Sequence, residues 1–468
     1  MGDEIRQSRF ERPDFTRFQE NLRRETECLG VRLQSASSAP EAKCVGFELE
    51  FCLLDENRLP APQNIALLET LHSERLAPEL SRFNLEWISE PHELRPDLLS
   101  RLRTELEEAW QQAESDAERL HLRLLMIGIL PTLPETKLDL DTMSPLLRYR
   151  MLNEQLMLQR EGRPLHLDIR GHEQLVSQHS DVMLEAAATS LQVHLQVPPA
   201  QILRFYNAAL IASAPLVALA ANSPFLFGKD LWAETRIPLF EQAVGWDSRR
   251  VSFGRDYVRG SLLECFWENL EKYPVLLPVT FEENSEGLPH LRLHNGTIWR
   301  WNRPIAAPDA AGDLHLRIEH RVMAAGPTIS DVIANIAACL GLVHALAEHP
   351  VAPELQLSFA EAQNNFYQAA RLGLEAEVTW NAKKVGLREL WLRELLPRVG
   401  ESLKRLEIDA SDLAFYLDEV LFGRLKSGQS GAVWQRAFVG RYGKDFPALT
   451  AAYGERQRRG SPVHEWTL

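Results

Sequence analysis

Hydrophobic and polar residues alternate strictly in three segments that lie far apart along the chain. Residues 45–53 interleave Val45, Phe47, Leu49, Phe51 and Leu53 with Gly46, Glu48 and Glu50. Residues 190–197 interleave Leu191, Val193, Leu195 and Val197 with Gln192, His194 and Gln196. Residues 314–322 set Leu314, Leu316 and Ile318 against His315, Arg317, Glu319 and Arg321. An extended chain sends successive side chains to opposite faces, so each segment predicts a strand with one core face and one polar face.

Residues 83–88 read as a further extended segment, and LLMIGIL at 124–130 as a buried strand. Leu98, Leu102, Leu106 and Trp110 recur at helical spacing within a charged helix over 97–123. A second helix is predicted from 145 to about 159, followed by an irregular His-rich region. The longest apolar run, 208–221, is too short to cross a bilayer and holds Ser213 and Pro215, so it reads as a buried helix following the PPAQ opening. Asn295-Gly296 predicts a tight hairpin turn between two alternating runs. Beyond Pro327 the pattern is helical almost to the end, with a weak break over 348–353. A small, polar stretch at 34–42 separates a charged N-terminal helical segment from the first strand. The expected class is α+β: a largely antiparallel sheet with helices on one face, followed by a helical C-terminal region.

Composition narrows the function classes. At 468 residues the chain exceeds the usual size of one compact core, and 45% hydrophobic with 25% charged residues is ordinary for a globular protein. The formal net charge of −14 speaks against a nucleic-acid surface but permits an anionic ligand where arginines or metals reverse the local field. Five scattered cysteines without a CxxC pair point to a reducing compartment. With a polar, charged start and no membrane span expected, the prediction is a cytoplasmic protein.

If the three strands share a sheet, Glu48, Glu50, His194, Arg317, Glu319 and Arg321 line one surface. Hard divalent cations take oxygen ligands, and Mg²⁺ is usually held by carboxylates together with substrate phosphates, so that surface suits a metal and a phosphate at once. The segment FNLEWISEPHEL offers Glu86, Glu90 and Glu93; Pro91 ends the strand, and Glu86 is the preferred member. Each feature alone has a structural account: a solvated strand face, a hydrogen-bonded histidine, a surface charge ladder. The combination is what points to chemistry. The chain has no GxxxxGK[ST] loop, no GxGxxG after a strand, no HExxH and no GxSxG, so any nucleotide site uses another scaffold.

GFELEF resembles the opening G-x-E-x-E strand of the carboxylate–amine ligases of the glutamate–cysteine ligase type 2 group. SLQVHLQV is similar to that family's V-H-x-x-V strand, ALAANSPFLFGKD to the segment that follows it, and RIEHR to its late E-x-R strand. The resemblance implies a glutamine-synthetase-like catalytic sheet, ATP with Mg²⁺ (Mn²⁺ as the alternative), and ADP-forming synthesis of a γ-glutamyl-type amide through an acyl phosphate. The partners implied are a carboxylate such as glutamate, an amine, and a second copy of the chain in a homodimer. By motif position it implies Glu48, Glu50, His194 and Glu319 as metal ligands, to which strand parity adds Glu86, and Arg321 at the transferring phosphate, with Glu50 the second catalytic candidate. Arg317, Asn222, Ser223 and Arg236 would shape the nucleotide or substrate pocket. The corresponding division is an N-terminal helical extension (1–42), a catalytic ligase domain (43–350) and a helical C-terminal region packed on it (351–468).

The last strand departs from the pattern, with His315 and Arg317 ahead of the glutamate and Gly326-Pro327 after it, so the amine side is expected to differ from cysteine-using members. The motifs do not cover 351–468, where SPVHEW reads as a packing anchor. Two other readings remain: a metal-dependent amide hydrolase, which would need no ATP, and a non-catalytic metabolite-binding member.

Overall fold

The alternating segments become neighbouring strands. The computed structural model describes residues 4–35, 43–71, 73–244, 250–281, 287–308 and 312–468. Its N-terminal helix α1 (Arg12–Ser35) precedes the central strand β1 (Cys44–Leu54). Then come α2 (Asn64–Leu71), β2 (Leu76–Pro78), β3 (Asn84–Ile88), β4 (His92–Glu93), α3 (Leu98–Arg119), β5 (Arg123–Leu125) and α4 (Leu147–Gln159). A hairpin of β6 (Leu165–Arg170) and β7 (Gln174–His179) leads to β8 (Ser190–Gln196) and α5 (Ile202–Leu219).

Among the described residues the main sheet has eight strands, with a spine ordered Asn302–Pro308, Leu314–Ala324, β8, β1, β3, β2; β4 and β5 also pair with β1. Every pairing in it is antiparallel. This is the α+β architecture the alternation predicts.

The apolar face packs on helices. Phe47, Leu49, Phe51, Leu191, Val193, Leu316 and Ile318 are buried in one cluster with α3, α5 and the helix Ile329–Ala347. Phe47 meets Trp87 at 5.1 Å between ring centroids, and Phe51 meets Trp110 of α3 edge-on at 5.2 Å. Both α5 and Ile329–Ala347 are long and apolar enough to cross a membrane, yet 89% of each lies inside the protein. They are the core helices beneath the sheet. Polar side chains enter that core as well: the buried His320 bonds Asn302 Oδ1 through Nδ1 at 2.7 Å, and burial pushes its pKa down to about 3.

Several expectations need correction. Asn295-Gly296 does not turn a hairpin: Pro289 starts a helix, Pro289–Gly296, and Asn295 is buried in its last turn, donating to Pro304 O at 2.9 Å. Of the 124–130 run only Leu124 and Leu125 lie in a strand, the end of β5. Beyond it the backbone is satisfied from elsewhere, Met126 N donating to Gln457 Oε1 at 3.0 Å and Gly128 N to Asn222 O at 3.3 Å. The His-rich region is not irregular but carries the β6–β7 hairpin. The C-terminal helices are interrupted by a hairpin, Glu377–Trp380 with Lys383–Gly386, whose turn residues Asn381 and Ala382 have φ of 48° and 57°. Of the polar stretch 34–42, Gln34 lies in α1, and residues 36–42 lie outside the described residues.

The end of the chain is an anchor. Val463 N donates to Asp331 Oδ2 at 3.0 Å, and Trp466 packs against Trp434 and Tyr453. Asp331 is also bound by the buried Arg424 at 2.7 Å. All five cysteines are free thiols.

Candidate active site

Register decides which polar residues meet. β1 is central, and its Glu48 lies opposite Gln192 on β8, while Glu50 lies opposite Glu86 on β3. On the other side of β8, His194 lies opposite Glu319, which in turn lies opposite Arg303 on Asn302–Pro308. Side chains directly opposite on one face are within reach of each other, so these rows build the site.

Two donor groups result. In the first, Glu48, His194 and Glu319 bring one ligand atom each within 4.8 Å of one another; in the second, Glu50, Glu79 and Glu86 do the same. His194 Nε2 is 3.2 Å from Glu48 and 3.8 Å from Glu319. Glu50 accepts from Ser190 N at 2.7 Å and Gln192 Nε2 at 2.9 Å. All of these carboxylates line one cavity of about 480 Å³, which Arg303, Arg317 and Arg321 also reach.

The two groups differ electrostatically. Burial works to raise Glu48, but His194 and Arg321 outweigh it and hold the carboxyl well below its usual range. Glu319 is likewise buried yet drawn down to about 2 by Arg303, Arg321 and His194. Arg303 grips it with a fork, its Nη2 donating to Glu319 Oε1 at 2.7 Å while its Nε bonds the other oxygen.

The second group has too little positive charge of its own. Burial raises Glu50 despite Arg321 and Arg236, and burial with Glu48 and Glu79 nearby raises Glu86 well above its usual value. Glu79 is pushed up to about 8 by burial, Glu50 and Glu185; Glu185 itself rises to about 8 through burial and Glu50. Buried, mutually repelling oxygen donors facing a cavity suit a hard divalent cation, which would displace their protons.

Of the residues singled out in the sequence, Glu48, Glu50, Glu86, Glu319, Arg317 and Arg321 line the cavity, and His194 bridges Glu48 and Glu319. Glu90 and Glu93 are exposed and pair with Arg75 and Arg95. Asn222, Ser223 and Arg236 do not line it. Asn222 Nδ2 donates to Ala325 O and Tyr453 Oη, both at 2.8 Å, and its Oδ1 accepts from Gln435 at 2.9 Å. Ser223 donates to Glu234 at 2.7 Å. Arg236 donates to Thr189 O at 2.9 Å and Met323 O at 2.7 Å, tying together two strand ends beneath the site. These three brace the strand ends, and of them Arg236 bears on the site through its charge, which works to lower Glu50.

Sequence reasoning missed Glu79, Glu185, Tyr149 and Arg303. Glu79 follows the three-residue β2, and Glu185 sits in a single turn of 3₁₀ helix, Met183–Ala187, so no periodicity marks either. Arg303 alternates with the buried Asn302 and Pro304, which is the signal that would have found it.

The sequence profile of the glutamate-cysteine ligase family 2 matches residues 44–460. A search of curated proteins returns no match. Among solved structures, the chain is similar to a glutamate–cysteine ligase from Francisella tularensis in complex with AMP. That match has a TM-score of 0.52 at 11% identity and covers 89% of each chain. It is also similar to a bifunctional glutathione synthetase from Pasteurella multocida, with a TM-score of 0.51 at 11% identity, over 93% of this chain and 55% of the other. Both likenesses concern the fold. With the profile spanning most of the sequence, the chain belongs to the glutamate-cysteine ligase family 2.

Proposed function

We propose that the protein is an ATP-dependent, ADP-forming carboxylate–amine ligase that makes a γ-glutamyl-type amide through an acyl phosphate. The observation that carries this reading is the pair of donor groups, Glu48/His194/Glu319 and Glu50/Glu79/Glu86, side by side with three arginines on one cavity. Both sets fit Mg²⁺ or Mn²⁺, which when bound would neutralise phosphate oxygens.

The protein's own groups have distinct tasks. A carboxylate does not condense with an amine at neutral pH because its oxygen is a poor leaving group, so transfer of the γ-phosphoryl group of ATP activates it. Arg321 offers its guanidinium fork to the phosphoryl oxygens as charge shifts. It is held for this by Gln192 Oε1 and by Glu319 at 3.3 Å, while Arg303 fixes Glu319 from the other side. Arg317 adds positive charge to the same cavity.

Incubation with Mg·ATP and pools of amino acids, read by ADP release and new masses, tests the reading and identifies both substrates. With the carboxylate labelled by heavy oxygen, label is expected in inorganic phosphate, because one carboxylate oxygen leaves with the phosphoryl group. Label in AMP would replace this with an adenylate route, and amide cleavage without nucleotide would favour a hydrolase. Arg321→Lys keeps the charge but loses the fork, and turnover is expected to fall on the order of 10²-fold with ATP affinity little changed. Unchanged turnover would remove Arg321 from the mechanism.

A further inference from the structure

The wall of the cavity is completed by residues outside the family-matched span. Glu4, Ile5, Arg6 and Gln7 line it, 37 residues or more before the match begins at 44. They run between two of its walls. At one end the Glu4 carboxylate accepts from Leu147 N at 3.1 Å and Arg148 N at 2.9 Å. The residue before α4 is Leu146, which has no side-chain acceptor, so Glu4 caps that helix from a distant part of the chain. Arg148 and Tyr149, in the same turn, line the cavity.

At the other end Gln7 Oε1 accepts from Thr280 N at 3.2 Å, and Val279, Thr280 and Phe281 line the opposite wall. Between these ends Ile5 is 6% exposed, packed in a cluster with Leu80, Tyr149, Val182 and Leu277. The helix that follows is fixed from behind. Glu25 on α1 bonds His290 Nδ1 at 2.6 Å and accepts from Leu291 N at 2.8 Å, at the start of the Pro289–Gly296 helix that also lines the cavity.

We infer that residues 4–7 are a strap of positioning residues that closes the ligase cavity and keeps water from the activated carboxylate. This rests on the ligase reading above. An acyl phosphate reached by water instead of the amine loses phosphate: water adds at the carbonyl carbon, the C–O bond to phosphate breaks, and the free carboxylate returns. ATP is then consumed without amide. A strap anchored at both ends, with Ile5 seated in the apolar cluster between them, limits that leak.

The test uses the full chain with Glu4→Ala and Ile5→Asp, and Ile5→Val as the conservative control, reading phosphate released per amide formed. The parent and Ile5→Val should stay near unity, while Glu4→Ala and Ile5→Asp should rise several-fold. Variants that lose stability or rate but keep unit coupling would overturn the strap. A second measurement needs no variant and no turnover: hydrogen exchange of residues 4–10 and 147–150 in the parent protein, with and without Mg·ATP. Protection of both segments is expected, and its absence overturns the inference. A parent protein that forms no amide with ATP defeats the ligase reading alone, since protection by Mg·ATP still decides the strap.

Discussion

Replacing Glu50 with alanine is expected to lower ATP-dependent amide formation by on the order of 10²–10³-fold or more while the protein stays folded. Glu50 is the β1 member of the acidic group with Glu79 and Glu86, and its carboxyl is raised by burial, so the native fold carries like charge or extra protons there. Removing it relieves that repulsion. The donors it leaves, Ser190 N and Gln192 Nε2, face a site open to the cavity, where water can replace the lost acceptor. Glu319→Ala makes the contrast. Arg303 and Arg321 both pair with Glu319, so its loss strands two largely buried guanidinium groups and should cost stability as well, about 3–5 kcal/mol. ADP release and denaturant unfolding, measured on both variants, separate the two cases. An unfolded Glu50→Ala, or a fully active one, would take Glu50 out of the proposed chemistry.

Phe47→Ala should show the reverse phenotype, a stability loss of about 3–5 kcal/mol. Phe47 is one residue from Glu48 and on the opposite face, 1% exposed and against Trp87 at 5.1 Å. Its removal leaves a cavity in the layer between the sheet and its helices, which close-packed neighbours fill only partly. Below its lowered unfolding temperature the variant should retain turnover, because no cavity-lining residue is touched. A variant as stable as the parent would contradict the two-faced strand.

What the sequence discloses follows from periodicity. A two-residue repeat places Glu48, Glu50, His194, Glu319 and Arg321 on polar faces without any knowledge of pairing. It does not say which strand lies beside which. That register, opposing Glu50 to Glu86 and Glu319 to both His194 and Arg303, is set by long-range contacts that no local pattern records. Glu79 and Glu185 are invisible for a related reason: they sit in segments too short for a period. The misplaced hairpin at Asn295-Gly296 shows a local turn signal overridden by tertiary bonds, since the Asn295 amide is engaged by Pro304 O and Asn269 rather than shaping a turn. Asn222, Ser223 and Arg236 carry recognisable motif positions, yet their hydrogen-bonding groups are directed into the scaffold, a distinction that residue type alone does not make.

The bonds around Asn222 bear on how such a chain can change over generations. Gly431 begins a C-terminal helix directly against this amide, and a β-carbon there would lie 2.0 Å from Asn222 Oδ1. No side chain fits at 431 while Asn222 is present, and shortening Asn222 gives up the amide that ties Ala325 to Tyr453 and Gln435. The two positions, 209 residues apart, are therefore coupled: a change at either meets a clash or a gap unless the other changes with it, and that dependence ties a C-terminal helix to the segment that follows α5.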